Sequence, residues 1–129
     1  MIDYLEKNKS FAIIFFTSMA LEIFIVSSIP GKNLSIKGID PSLFYHLIVF
    51  FLFNFFLVLL ITGNKKIKIK YLAFSIFFSI LYAILDEIHQ FFVPFRVPSI
   101  TDAIVDTMGI FLSTITYINY KKNKIKITY

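Results

Sequence analysis

Long apolar runs alternate with short polar breaks along this chain. The runs extend from Phe11 to about Ile29, from Leu43 to Ile61, from Tyr71 to Phe92 and from Ile100 to Ile118. Each has roughly the 20 residues that a helix needs to cross ~30 Å of hydrocarbon. The breaks are "PGKNLSIKGIDPS", "GNKKIKIK" and "VPFRVPS", whose Pro and Gly residues interrupt helices. The pattern predicts an all-α polytopic membrane protein. Its four transmembrane helices, over 11–29, 43–61, 71–92 and 100–118, would pack as an antiparallel bundle in a single domain over 1–129. Four strands could not close a barrel in lipid, so a β architecture does not fit. The first run is long for a signal-peptide core, contains Glu22 and is followed closely by Pro30, so it reads as a span. Ser99 or Thr101 is placed to cap the last helix.

Composition reinforces this pattern. Hydrophobic residues make up 57% of the chain and charged residues 16%, against about 25% charged in a soluble domain. Seventeen Phe in 129 residues exceed what a small soluble core can hide. The net charge of +5 would suit nucleic acid, but its placement does not. The lysines cluster at 65, 66, 68 and 70 and again at 121, 122, 124 and 126, flanking apolar runs as topology signals do. With Lys7 and Lys9 they put ten basic residues on one side. Lys32, Lys37 and Arg96 put three on the other. Ten against three predicts a multi-pass cell-membrane protein with both termini in the cytoplasm, a lipid-bilayer partner and no nucleic-acid partner. With no cysteine, thiolate metal sites are excluded.

This topology gives every polar residue a depth. Ser27, Ser28 and Pro30 end the first helix, and His46 lies in the first turn of the second. Asp86, Glu87, His89 and Gln90 crowd the last turns of the third, and Asp102 and Asp106 begin the fourth. Groups from four separate segments therefore converge on the outer layer. Ser75, Ser79, Tyr82, Asp86, His89 and Gln90 share one helical face, as do Asp102, Asp106, Gly109 and Ser113. These two faces are expected to look at each other, with Glu87 turned about 100° away. The serines, Tyr82 and Asn54 suit hydrogen bonding between helices. The carboxylates point to function, because ionised groups are costly in a membrane. Four acids face one Arg96. Either some are protonated, or His46 and His89 are charged, or a divalent cation completes the site, with Asp86, His89, Asp102 and Asp106 as its ligand set. Arg96, held between Pro94 and Pro98, suits pairing with Asp102 or binding of a phosphate. Glu22 lies near mid-membrane and suits a hydrogen-bonded or proton-coupled role.

The segment "DEIHQFFVPFRVPSITDAIVDTMG", Asp86 to Gly109, resembles the VanZ-like family of bacterial membrane proteins. It carries an Asp-Glu-x-His-Gln run, an Arg in a Pro-bearing loop, then an Asp and a helix with Gly. "SSIPG" and His46 fit as well, and the resemblance spans about Ser27 to Ser113. Departures are Ser42 and Leu43 in place of an acid-Lys pair, Asp106 in place of a frequent Asn, and Phe95 and Ser113 in place of frequent glycines. The family name comes from a protein linked to teicoplanin resistance, so the resemblance implies a location and a site more than a reaction.

Three functional classes stay open on these residues. In the first, an enzyme acts on an envelope lipid or lipid-anchored molecule. Its catalytic candidates are Asp86, Glu87, His89, Asp102 and His46, with His89 or Asp86 as general base. Gln90, Arg96, Ser28 and Asp106 would bind the substrate. In the second, a protein without turnover binds such a molecule, or a lipoglycopeptide, and lowers drug susceptibility, or serves as a scaffold. In the third, a small proton-coupled transporter uses Glu22. The oligomeric state is not encoded in these features.

Overall fold

The computed structural model of the protein describes residues 2–30, 41–63 and 67–127, apart from the side chains of Asp3 and of 123–127. The expectations resting on Gly31, Lys32, Lys37, Gly38, Lys65 and Lys66, and on the side chains of Lys124 and Lys126, lie outside the described residues. Among those described, every element is an α-helix: α1 (Ile2–Lys7), α2 (Lys9–Ser27), α3 (Pro41–Thr62), α4 (Ile69–Gln90) and α5 (Ile100–Ile127). The last four occupy the four apolar runs. By length and composition, α2, α3 and α4 can cross a membrane. The fourth predicted span is a helix too, but among the described residues α5 does not join that group. Asp102, Asp106 and the four threonines 101, 107, 114 and 116 dilute its hydropathy, and it continues into the lysines that the sequence places outside the bilayer. The short α1 has no periodic signal to announce it.

Local chemistry sets the helix ends. Pro41 opens α3, where its fixed φ fits and its missing N–H has no intrahelical partner to lose. Gly63 closes the same helix at φ 52, donating its N–H to Leu59 O at 2.8 Å. At the end of α2, Ser28 donates both its N–H and its hydroxyl to Phe24 O, and Pro30 then prevents continuation. Ser99 caps α5, its Oγ accepting the Asp102 N–H at 3.3 Å.

The helix α3 sits against α2, α4 and α5, and packs most extensively with α5. His46 meets Asp106, Asn54 meets Ile110, Ser113 and Thr114, and the Gly63 carbonyl meets Lys121. The two helices therefore run with their numbering rising together. Gly109 permits the contact: a Cβ there would lie 2.5 Å from Leu47 O and 3.1 Å from Phe51 N. The expected pairing of the Asp102–Ser113 face with the 71–92 helix is thus redirected, because the small residue of α5 lies against the α3 backbone.

One core gathers Ile23, Val49, Phe50, Phe53, Ala83 and Ile110, and a second gathers Leu5, Val58, Leu59, Leu72 and Tyr117. A polar seam runs through the interior: Asn54, Ser75, Ser79 and Ser113 have no exposed surface. Leu21, Ile25, Ile48, Phe77, Ile104 and Phe111 lie outside and are exposed. Polar groups inside and large apolar groups outside are the distribution expected of helices solvated by lipid.

Candidate functional site

The start of α3, the end of α4 and the start of α5 meet at one end of the molecule, together with the end of α2. Four helix termini therefore bring their polar residues together there. Two neighbouring groups result, and His46 belongs to both.

The first group is mostly interior, with Asp102 partly exposed at its edge. His46 Nδ1 lies 2.9 Å from Asp106 Oδ1, and its Nε2 lies 3.9 Å from Asp102 Oδ2. Glu87 Oε2 accepts the Ser99 N–H at 2.8 Å, tying the end of α4 to the cap of α5. Asp106 is completely buried, His46 and Glu87 nearly so. The second oxygens, Glu87 Oε1 and Asp106 Oδ2, are buried with no hydrogen-bond partner among the described residues. One donor atom from each of His46, Glu87 and Asp106 lies within 4.8 Å of the others. An ionised carboxylate only accepts, so beside ionised Asp106 the imidazole carries its proton on Nδ1. Nε2 is then left as the basic nitrogen, whereas a cation held jointly by His46 and Asp106 would take Nδ1 in place of that proton.

The second group lines a cavity of about 270 Å³ with Ser27, Ser42, Tyr45, His46, Asp86, Gln90 and Arg96 on its wall. Gln90 Nε2 donates to Asp86 Oδ2 at 2.9 Å, one helical turn away. The guanidinium of Arg96 folds back on α2, donating from Nε to Ile29 O at 3.1 Å and from Nη2 to Val26 O at 2.8 Å. It thereby adds donors at the end of α2, where Val26 O also accepts the Ile29 N–H. The expected pairing of Arg96 with Asp102 is replaced by this contact, because the loop delivers the side chain to the end of α2. The loop turns at Phe95, which takes φ 60, a left-handed conformation that favours glycine.

The expected metal quartet is divided. Asp86 turns to the cavity. His89 turns to α2, its Nε2 3.0 Å from Ser28 Oγ and its ring 4.9 Å from that of Phe24. Glu87, expected to point away, instead joins His46 and Asp106, and these three are the one group of donors within ligand reach among the described residues. The physical reason is the width of the buried surface of α4. It contacts α2, α3 and α5, so side chains one residue and about 100° apart can both face the interior. Glu22, the remaining acid singled out, is half-buried on α2.

Tyr45 on the cavity wall escaped the sequence reading, and Ser42 was noted there only as a departure from the family pattern, although both lie within four residues of His46. Another missed cluster lies at the opposite end. Glu6 of α1 accepts the Tyr117 hydroxyl at 2.9 Å and pairs with Lys121 Nζ at 2.6 Å, and Lys121 also donates to Gly63 O. Glu6 and Lys121 stand 115 residues apart, and a lysine among lysines reads as a solvated topology charge, so no sequence signal marked the pair.

A family model described as VanZ-LLP1: VanZ/LLP1 matches residues 3–121. No curated protein and no solved structure matches the chain.

Proposed function

The chain belongs to the VanZ/LLP1 family, and from that premise we propose that it is a multi-pass protein of the bacterial cell envelope. In this reading it binds the polar head of an envelope lipid or lipid-anchored molecule in the Asp86–Arg96 cavity at the outer end of a four-span antiparallel bundle. One observation carries the reading. A cavity of about 270 Å³, its wall partly apolar (Ile23, Val26, Phe50) but carrying an acid, an amide, an imidazole and a guanidinium, opens among helices whose outward surfaces are apolar. An amphiphile fits both surfaces at once, its head in the cavity and its tail along the helices. The case for α5 as fourth span rests on its alignment with α3 and its inward polar groups. Asp106 and Ser113 are fully buried while Ile104, Met108 and Phe111 face outward. The cavity lies at the end away from Lys7, Lys9, Lys121 and Lys122, and the positive-inside rule puts those lysines in the cytoplasm.

The Asp106–His46 pair supports turnover over passive binding. A carboxylate that fixes Nδ1 aims Nε2 as a general base, with His46 replacing His89 in that role. The test is native mass spectrometry of the protein extracted from its own membranes, followed by identification of the retained lipid. We expect a bound amphiphile in the parent protein and its loss in Ser42→Trp and Arg96→Gln. An unchanged lipid signal in both variants overturns the cavity assignment. If His46→Gln keeps the bound lipid with the same chemical structure that the parent protein retains, the protein acts by binding alone.

A further inference from the structure

We propose that His46, Glu87 and Asp106 form a divalent-cation site inside the bundle, beside the cavity and sharing His46 with it. The three donors come from three different helices, α3, α4 and α5, and lie within 4.8 Å of one another. A tetrahedral site with bonds of about 2.1 Å separates its donors by roughly 3.4 Å. The gap to close is therefore at most about 1.4 Å between any two donors. Independently, each carboxylate already has one oxygen engaged by protein and one that is not. Glu87 Oε2 takes the Ser99 N–H and Asp106 Oδ1 the His46 imidazole, whereas Glu87 Oε1 and Asp106 Oδ2 are buried without a partner among the described residues. Glu87 is 9% exposed and Asp106 not at all, so bulk water does not provide the missing contacts. Buried oxygens of this kind are costly unless paired with a donor or a positive charge.

The surrounding charges point the same way. Asp102 lies 3.9 Å from the imidazole, adding a third acid to the neighbourhood. Arg96 has turned two of its donor groups to the Val26 and Ile29 carbonyls. One imidazole with carboxylates is a borderline-to-hard donor set, suited to Mn2+ or Zn2+. The cation would also join α3, α4 and α5 at the end of the molecule where the termini of α4 and α5 meet. The proposal does not depend on the amphiphile reading, since cation binding is measurable with no added lipid ligand.

The experiment uses full-length protein in detergent, stripped with chelator, desalted and titrated with Mn2+ followed by electron paramagnetic resonance, and separately with Zn2+ followed by elemental analysis. We expect about one cation per chain in the parent protein and a thermal midpoint raised by its addition. Glu87→Gln and Asp106→Asn should each weaken binding by about tenfold or more, while Glu22→Gln, on α2 and outside the donor set, should bind as the parent does. Circular dichroism and size-exclusion elution check that each variant is folded. Binding no greater than that of the detergent blank overturns the proposal, as does unchanged affinity in both donor variants or an equal loss in Glu22→Gln. If a donor variant aggregates, the parent protein decides: a midpoint unmoved by both Mn2+ and Zn2+ overturns the site.

Discussion

At the scale of single residues, Phe95 and Asn54 make opposite demands. Phe95 holds φ 60 although its ring is 87% exposed, so the backbone is strained without compensating burial. The left-handed conformation costs a non-glycine residue roughly 1–2 kcal/mol, of which the greater flexibility of unfolded glycine cancels about half. We expect Phe95→Gly to stabilise the protein by about 0.5–1 kcal/mol, read as a higher thermal midpoint in detergent, and Phe95→Ala to give no gain. A lower midpoint in Phe95→Gly would mean that the exposed ring contributes more than the strain costs. Asn54 is wholly buried, and its amide serves three helices. Its Nδ2 reaches Ile110 O, Ser113 Oγ and Thr114 Oγ1, and its Oδ1 accepts the Ser79 hydroxyl. Two N–H hydrogens face three acceptors, so the donors are shared. Asn54→Leu keeps the volume and strands these groups, at an expected cost of about 1–2 kcal/mol in unfolding by dodecyl sulfate. The sequence marked Asn54, Ser79 and Ser113 as interhelical groups because polar side chains in apolar runs must find partners. Which partner each one finds depends on helix rotation, and that is a tertiary property.

At the scale of elements, Gly109 shows where legibility ends. Its spacing from Asp102, Asp106 and Ser113 announced a close approach by a helix face, and the close approach exists. Its partner is α3, whose backbone would lie 2.5 Å from an added Cβ, rather than the sequence-adjacent α4. Periodicity reports a face, but four helices can place that face against more than one neighbour. The same ambiguity explains Glu87: a count of about 100° per residue gives its direction correctly, yet α4 is buried on more than one side. Because the obstructing atoms at Gly109 are backbone, Gly109→Ala must push α3 and α5 apart. We expect it to cost roughly 1–3 kcal/mol in thermal unfolding, whereas Ser113→Ala should cost less. A neutral Gly109→Ala would mean that the two helices separate without penalty. The docking of α1 makes a stronger demand. Glu6→Gln leaves the Lys121 ammonium beside Tyr117 and Gly63 O without its carboxylate, and breaking a buried pair costs up to about 3–5 kcal/mol. The double variant Glu6→Gln with Lys121→Met should recover part of the loss, which tests the pairing rather than the sum of two defects.

At the scale of the whole molecule, the polar residues sort by end. His46, Asp86, Glu87, His89, Arg96, Asp102 and Asp106 gather at one, and Lys7, Lys9, Lys68, Lys70, Lys121 and Lys122 flank the other. This separation follows from the order of the runs, so it was legible in the sequence before any side-chain contact was known. A bilayer fixes the sign of the arrangement, because basic flanks are retained in the cytoplasm. The chain has no cysteine, so a single introduced thiol reports its own side of the membrane without a background to remove. The exposed loop residue Phe95 and the exposed Lys122 probe the two ends. In intact cells treated with a membrane-impermeant maleimide, Phe95→Cys should be labelled and Lys122→Cys should react only after the membrane is opened. Labelling of both in intact cells would put the two positions on the same side, with an even number of spans between them, and remove α5 as a full span. Labelling of Lys122→Cys alone would invert the molecule, turn the acidic end to the cytoplasm and exclude a ligand confined to the outer leaflet.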